Sequence, residues 1–168
     1  RNLLHSLIKC VYLQRYSHIK CGRTGDYSLI KCDFKIRIME RLAIDELLKW
    51  KNKQYRKPLI IEGARQVGKT WLVKEFARQN YKQLAYVNFE EMKILQNLFE
   101  QDFNIPRILT AIGAATNVTC TEGETLIFLD EIQAAPHAVT SLKYFAENAP
   151  GYHVIAAGSL LGIELHHG

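Results

Sequence analysis

Eight consecutive residues, Gly63-Ala64-Arg65-Gln66-Val67-Gly68-Lys69-Thr70, fit the pattern G-x-x-x-x-G-K-[ST]. Each fixed position answers a chemical need. Glycines let a loop curl until successive backbone N–H groups point inward at the oxygens of an anion. A helix that begins where the loop ends presents its free N–H groups and the positive end of its dipole to the same anion. Lys69 sets a point charge against the outer phosphates, and the Thr70 hydroxyl is a hard oxygen ligand suited to Mg²⁺. The competing reading is a glycine-rich surface turn that matches by chance. An apolar strand before the loop and a helical pattern after it weigh against that.

About sixty residues later, Leu126-Ile127-Phe128-Leu129-Asp130-Glu131 is an apolar run that ends in two carboxylates. A buried strand of this kind delivers its last residues to the carboxyl edge of a sheet, where ligands of α/β proteins bind. Asp130 is placed to hold Mg²⁺, through water in the usual case, and Glu131 to act as general base on an attacking water. A solvated Asp-Glu turn is the alternative, and taken alone it would be the better reading. Downstream of a phosphate loop, the catalytic one gains.

The elements that must position these groups follow from periodicity. Leu42, Ile44, Leu47, Leu48 and Trp50 pattern an amphipathic helix that ends in the polar Lys51-Asn52-Lys53-Gln54, and Arg56-Lys57-Pro58 breaks the chain after it. Leu59-Ile60-Ile61 reads as a buried strand, 63–68 as a loop and 69–79 as a helix. A strand over 84–89, helices near 92–101 and 106–115, a strand over 125–129, a helix over 138–148 and a strand over 152–157 complete the pattern. Apolar strands separated by helices predict an α/β fold, with a mostly parallel sheet covered on both faces. No apolar run approaches the ~20 residues that span a bilayer, so no membrane segment is expected.

Within 168 residues the basic excess is confined to one end. The net charge is +5, yet residues 1–38 hold eight basic and two acidic side chains, which leaves 39–168 at net −1. A nucleic-acid interface argued from overall basicity is therefore excluded. Residues 1–38 also repeat every eleven residues, as Ser6-Leu7-Ile8-Lys9-Cys10, Ser17-His18-Ile19-Lys20-Cys21 and Ser28-Leu29-Ile30-Lys31-Cys32. The spacing matches no paired zinc-ligand pattern. The expected organisation is a basic segment, 1–38, outside the folded domain, followed by the domain itself over 39–168. Cys120 is then the lone cysteine of the domain, which points to a reducing, cytoplasmic setting without disulfides.

Together these residues resemble the AAA-type branch of P-loop ATPases, and within it a prokaryotic ATPase family marked by GARQVGKT and LDEIQ. The resemblance runs through Arg41, Trp50, Lys57-Pro58-Leu59-Ile60, the loop 63–70, Leu129-Asp130-Glu131-Ile132-Gln133 and Ala157-Gly158-Ser159-Leu160-Leu161-Gly162, and so covers 39–168. It implies a P-loop NTPase three-layer sandwich with strand order 1-4-3-2. It also implies Mg²⁺-dependent binding and hydrolysis of ATP, used to drive or switch a partner. Ser159 takes the place of the polar sensor that reads the γ-phosphate, although a small turn residue beside Gly158 would look the same. Asn88 takes the place of the polar partner that holds the catalytic glutamate in check, with a strand-end cap as the alternative.

The family's fifth strand, helical lid, second sensor and arginine finger have no counterpart here, so the chain reads as the front of a longer protein. The nuclease-like C-terminal domain usual in the family makes DNA or a protein an expected partner, and a homo-oligomer is a further expectation. Two other functions compete. One is a P-loop kinase acting on a small acceptor, which has less use for Glu131. The other is a nucleotide-binding module without turnover. A GTPase is disfavoured because no N-K-x-D motif occurs.

Overall fold

The computed structural model describes residues 41–159; the basic repeat of 1–38 and the Leu160-Leu161-Gly162 part of the expected motif lie outside the described residues. Helix α1 covers 41–51. It is followed by β1 (Leu59–Glu62), α2 (Lys69–Asn80), β2 (Gln83–Asn88), α3 (Ile94–Gln101), α4 (Ile105–Thr116), β3 (Thr125–Asp130), a 3₁₀ turn (Ile132–Ala134), α5 (Pro136–Asn148) and β4 (His153–Gly158). The four strands form one parallel sheet in the order β1-β4-β3-β2, as the resemblance implied.

Alternation along the strands sets the layers. Leu126 and Phe128 of β3, Ile155 and Ala157 of β4 and Ile61 of β1 face α1 and α2, packing on Leu47, Val73 and Phe76. The intervening Ile127, Leu129, Val154 and Ala156, with Ala85 and Val87 of β2, face α3, α4 and α5 through Phe99, Ile108, Ile112 and Phe145. Every residue of β3 and β4 is buried, so neither strand shows the polar alternation of a half-exposed sheet. β1 has a neighbour on one side only among the described residues.

Boundaries moved where caps and turns decided them. β2 starts at Gln83 and ends at Asn88, because the chain turns there and Met92 N–H donates to the Asn88 carbonyl at 2.7 Å. Phe89 leaves the strand but stays buried, edge-on to Phe99. α4 begins one residue early because the Asn104 side chain accepts from Arg107 N–H and caps it, with Pro106 in the first turn. α5 likewise starts at Pro136, a residue that fits the first turn of a helix. In α1 the buried stripe is Ala43, Ile44, Leu47 and Trp50, whereas Leu42 is 45% exposed. The alanine contacts the core at a position where hydrophobicity favoured leucine.

At the edge where the strands begin, an aromatic cluster ties α1 to the sheet. Trp50 Nε1 donates to the Lys57 carbonyl at 2.8 Å, and its ring meets His153 edge-on. Tyr81 Oη lies 2.6 Å from His153 Nδ1. Lys51 Nζ sits over the Tyr81 ring and the Arg56 guanidinium over Trp50, so two cations border the cluster. Burial, with Arg56 and Lys51 adding to it, pushes the His153 imidazole down to about 4. The neutral ring shares one hydrogen bond with the phenol, whose own ionisation burial pushes up. Among the described residues no helix is long and apolar enough to cross a membrane.

The depressed His153 value has a definite sign in stability. Protonation is harder in the folded than in the unfolded chain, so the contribution is complete above about 6.5 and is lost as the pH falls toward 4. Chemical denaturation between pH 7 and pH 4 should show a loss on the order of 2–3 kcal/mol from this group. In His153→Asn that part of the pH dependence should disappear.

Candidate functional site

The sheet order brings the carboxyl ends of β1, β4 and β3 side by side, and every motif residue is carried by one of them or by the chain just after it. The loop 63–70 leaves β1 with Gly63 N–H donating to the Gly158 carbonyl at 3.3 Å, which extends the β1–β4 ladder by one bond. Gly68 then takes φ 87° as the residue preceding α2, a left-handed conformation that glycine adopts without steric cost. Gln66 also has positive φ, at 63°. Val67 is buried in the core below, so the loop is anchored by an apolar side chain while Ala64, Arg65 and Gln66 stay exposed. Arg65 reaches across to Glu90 at 2.6 Å.

Lys69 is only 6% exposed, and its ammonium donates to the carbonyls of Gly63 at 3.0 Å and Ala64 at 2.7 Å. The lysine therefore braces its own loop. Burial lowers its pKa, while the negative charges of Glu131 and Asp130 act to raise it. Arg65 acts with burial, and the two carboxylates act against both.

Asp130 is 2% exposed and has three donors. Thr70 Oγ1 donates to Oδ2 at 2.7 Å, Tyr86 Oη donates to the same oxygen at 3.2 Å, and Glu131 N–H donates to Oδ1 at 3.1 Å. The first of these joins the two motifs read separately from the sequence. Thr70 and Asp130 are hard oxygen donors in contact, the pair that could hold a Mg²⁺ ion whose remaining ligands are water and phosphate. Tyr86 was not among the expected site residues. Burial, and then the Asp130 charge, pushes its phenol up to about 12, so it remains a donor. Lys74 Nζ covers its ring at 3.7 Å.

Glu131 has left-handed backbone angles, φ 51° and ψ 44°, which cost on the order of 1 kcal/mol outside glycine. Its side chain accepts from Gln133 Nε2 at 2.5 Å. Gln133 Oε1 in turn accepts from the backbone N–H of Ser159 at 3.2 Å. Ser159 is buried just beyond β4, beside the Glu131 segment. Asn88 pairs in register with Asp130, yet its Oδ1 accepts from Glu90 N–H. Among the described residues it makes no bond to Glu131, so here Asn88 caps the end of β2 while Gln133 holds the glutamate. The left-handed turn at Glu131 carries its side chain toward the β4 end of the site. Gln133 had appeared only as the last letter of LDEIQ.

A family model described as an AAA domain matches residues 55–167. No curated protein matches the chain.

The Asp130 arrangement yields a stability expectation independent of nucleotide. Tyr86→Phe removes one of three donors while Thr70 and the Glu131 amide remain. Chemical denaturation should show a loss of about 1 kcal/mol, the usual net worth of one such bond.

Proposed function

The chain belongs to the AAA domain family, and on that premise we propose that it binds ATP with Mg²⁺ and hydrolyses it. The observation that carries the proposal is the 2.7 Å contact between Thr70 Oγ1 and Asp130 Oδ2, which assembles one site from two segments sixty residues apart. Lys69 points into the same site from its buried position. Nucleotide binding by a P-loop fold is what membership of the family implies; hydrolysis rests on Glu131.

The chain's own groups divide the work. Backbone N–H groups of the loop 63–70 and of the first turn of α2 receive the phosphates. Lys69 exchanges the carbonyls of Gly63 and Ala64 for phosphate oxygens. Thr70 and Asp130 are the residues that would hold Mg²⁺, which would supply neutralisation of negative charge on the phosphates. Glu131 lies past the metal-side carboxylate, where it can take the proton of an attacking water. Ser159, just beyond the adjacent strand, takes the part of the group that reads the terminal phosphate, a role its position after β4 supports. The arrangement favours water over a small-molecule acceptor because a carboxylate is held beside the site. The work would fall on a partner, protein or DNA, or on an assembly of copies of this chain, and Cys120 as a free thiol suits a cytoplasmic setting.

Two variants test the proposal in the full chain. Lys69→Ala removes the buried cation and should weaken Mg-ATP by about 2–3 kcal/mol, roughly 30- to 150-fold in Kd by calorimetry. Unchanged affinity would remove the loop from the site. Glu131→Gln keeps shape and loses the base, so steady-state hydrolysis should fall by ~10²-fold with affinity retained. A full-rate variant would mean that another group activates the water.

A further inference from the structure

The carboxamide of Gln133 makes two bonds of opposite sense. Its Nε2 donates to the Glu131 carboxylate at 2.5 Å, and its Oε1 accepts from Ser159 N–H at 3.2 Å. These partners fix the orientation of the amide, since a carboxylate can only accept and a backbone N–H can only donate. They also fix the residue type. Glutamate at this position would set one carboxylate against another, arginine or lysine could not accept from Ser159, and asparagine is shorter by one methylene. Glutamine has the reach and both halves of the pairing.

The surroundings explain why such a bridge is needed. Glu131 sits in a strained left-handed turn, held on the backbone side by the Ala134 N–H, which donates to the Glu131 carbonyl at 2.9 Å. That bond fixes the main chain and leaves the carboxylate to be aimed by something else. Asn88, the polar residue at the end of the neighbouring strand, is engaged with Glu90 N–H. Gln133 is therefore the side chain that aims Glu131, and it does so from the backbone of Ser159, just beyond β4.

We propose that Gln133 is a positioning residue that ties the general base to the γ-phosphate-reading strand end, so that the two are held in one geometry. This rests on the reading of Glu131 and Ser159 given above. Ligand binding at the loop does not require the bridge, because Gln133 touches neither Lys69 nor Thr70. Its loss should therefore act on turnover and leave nucleotide affinity alone. A carboxylate released to other rotamers loses the alignment that proton abstraction needs, and misplacement of about 1 Å costs on the order of 10²-fold.

The test uses the full chain, with Mg-ATP turnover and calorimetric affinity measured for wild type, Gln133→Met, Glu131→Gln and the double variant. Methionine keeps the length and removes both hydrogen bonds. The expected result is a 10- to 100-fold fall in kcat for Gln133→Met, with KM and Kd within about twofold of wild type. The double variant should be no slower than Glu131→Gln alone, because Gln133 works only through Glu131. The Ser159 amide should also exchange with solvent faster in Gln133→Met than in wild type without nucleotide. A kcat equal to or above wild type, or losses that multiply in the double variant, would overturn the inference while leaving ATP hydrolysis standing. Wild-type protein that binds no Mg-ATP would overturn the proposed function and this inference with it. An unfolding midpoint far below wild type in Gln133→Met moves the comparison to Gln133→Glu. That variant keeps the acceptor for Ser159 and opposes Glu131, and a wild-type kcat there would overturn the inference equally.

Discussion

A carboxylate that is 2% exposed cannot be left without donors, and Asp130 stands at the end of a strand with no exposed residue. Its three donors come from three places: the first turn of α2, the middle of β2 and the residue that follows it in the chain. Satisfying this one group therefore fixes the loop helix against β3, fixes β2 beside it, and fixes the backbone direction at Glu131. The loop 63–70 is held in place by the same requirement. A carboxylate closer to solvent could be satisfied by water, and the loop and the acidic strand end would then have no obligation to meet.

The buried lysine is the complement of that constraint. In this structure its ammonium is solvated by the loop's own carbonyls, and the two carboxylates across the site oppose the effect of burial. The ammonium is thus held beside the loop by two carbonyls, and it must give these contacts up before it can meet any other acceptor.

Much of this was legible in the residue order, for physical reasons that differ from part to part. The loop 63–70 and the Asp130-Glu131 pair are local in sequence, so spacing alone exposes them. The strands β3 and β4 are apolar throughout because both faces are covered, and a continuous run needs no register to be recognised. Tyr86 was not legible. It looks like an ordinary strand aromatic until the pairing of β2 with β3 sets it on the α2 face, within reach of a carboxylate on the neighbouring strand. The role of Gln133 depends on Ser159, twenty-six residues further on, and only the adjacency of β3 and β4 brings the two together. Asn88 is read from sequence in two ways for the same reason. A polar residue at the right strand end can serve a neighbouring carboxylate or its own turn, and the turn is nearer. In α1, helical periodicity was correct, but the choice between Leu42 and Ala43 for the core depends on the angle at which the helix meets the sheet.

The sheet order carries a further consequence for how the molecule is made. β1 is the first of the described strands, yet its partner is β4, with Leu59 aligned to Ile155 about a hundred residues later. β2 and β3 can pair while β4 is still unmade, whereas the strand that launches the loop 63–70 must wait for β4. During synthesis the nascent chain therefore exposes an apolar segment, Leu59-Ile60-Ile61, for as long as it takes to produce β2, β3 and β4. Long-range pairing of this kind is slow and depends on earlier elements staying soluble meanwhile. The base from which the loop 63–70 rises is thus completed only when β4 has been made.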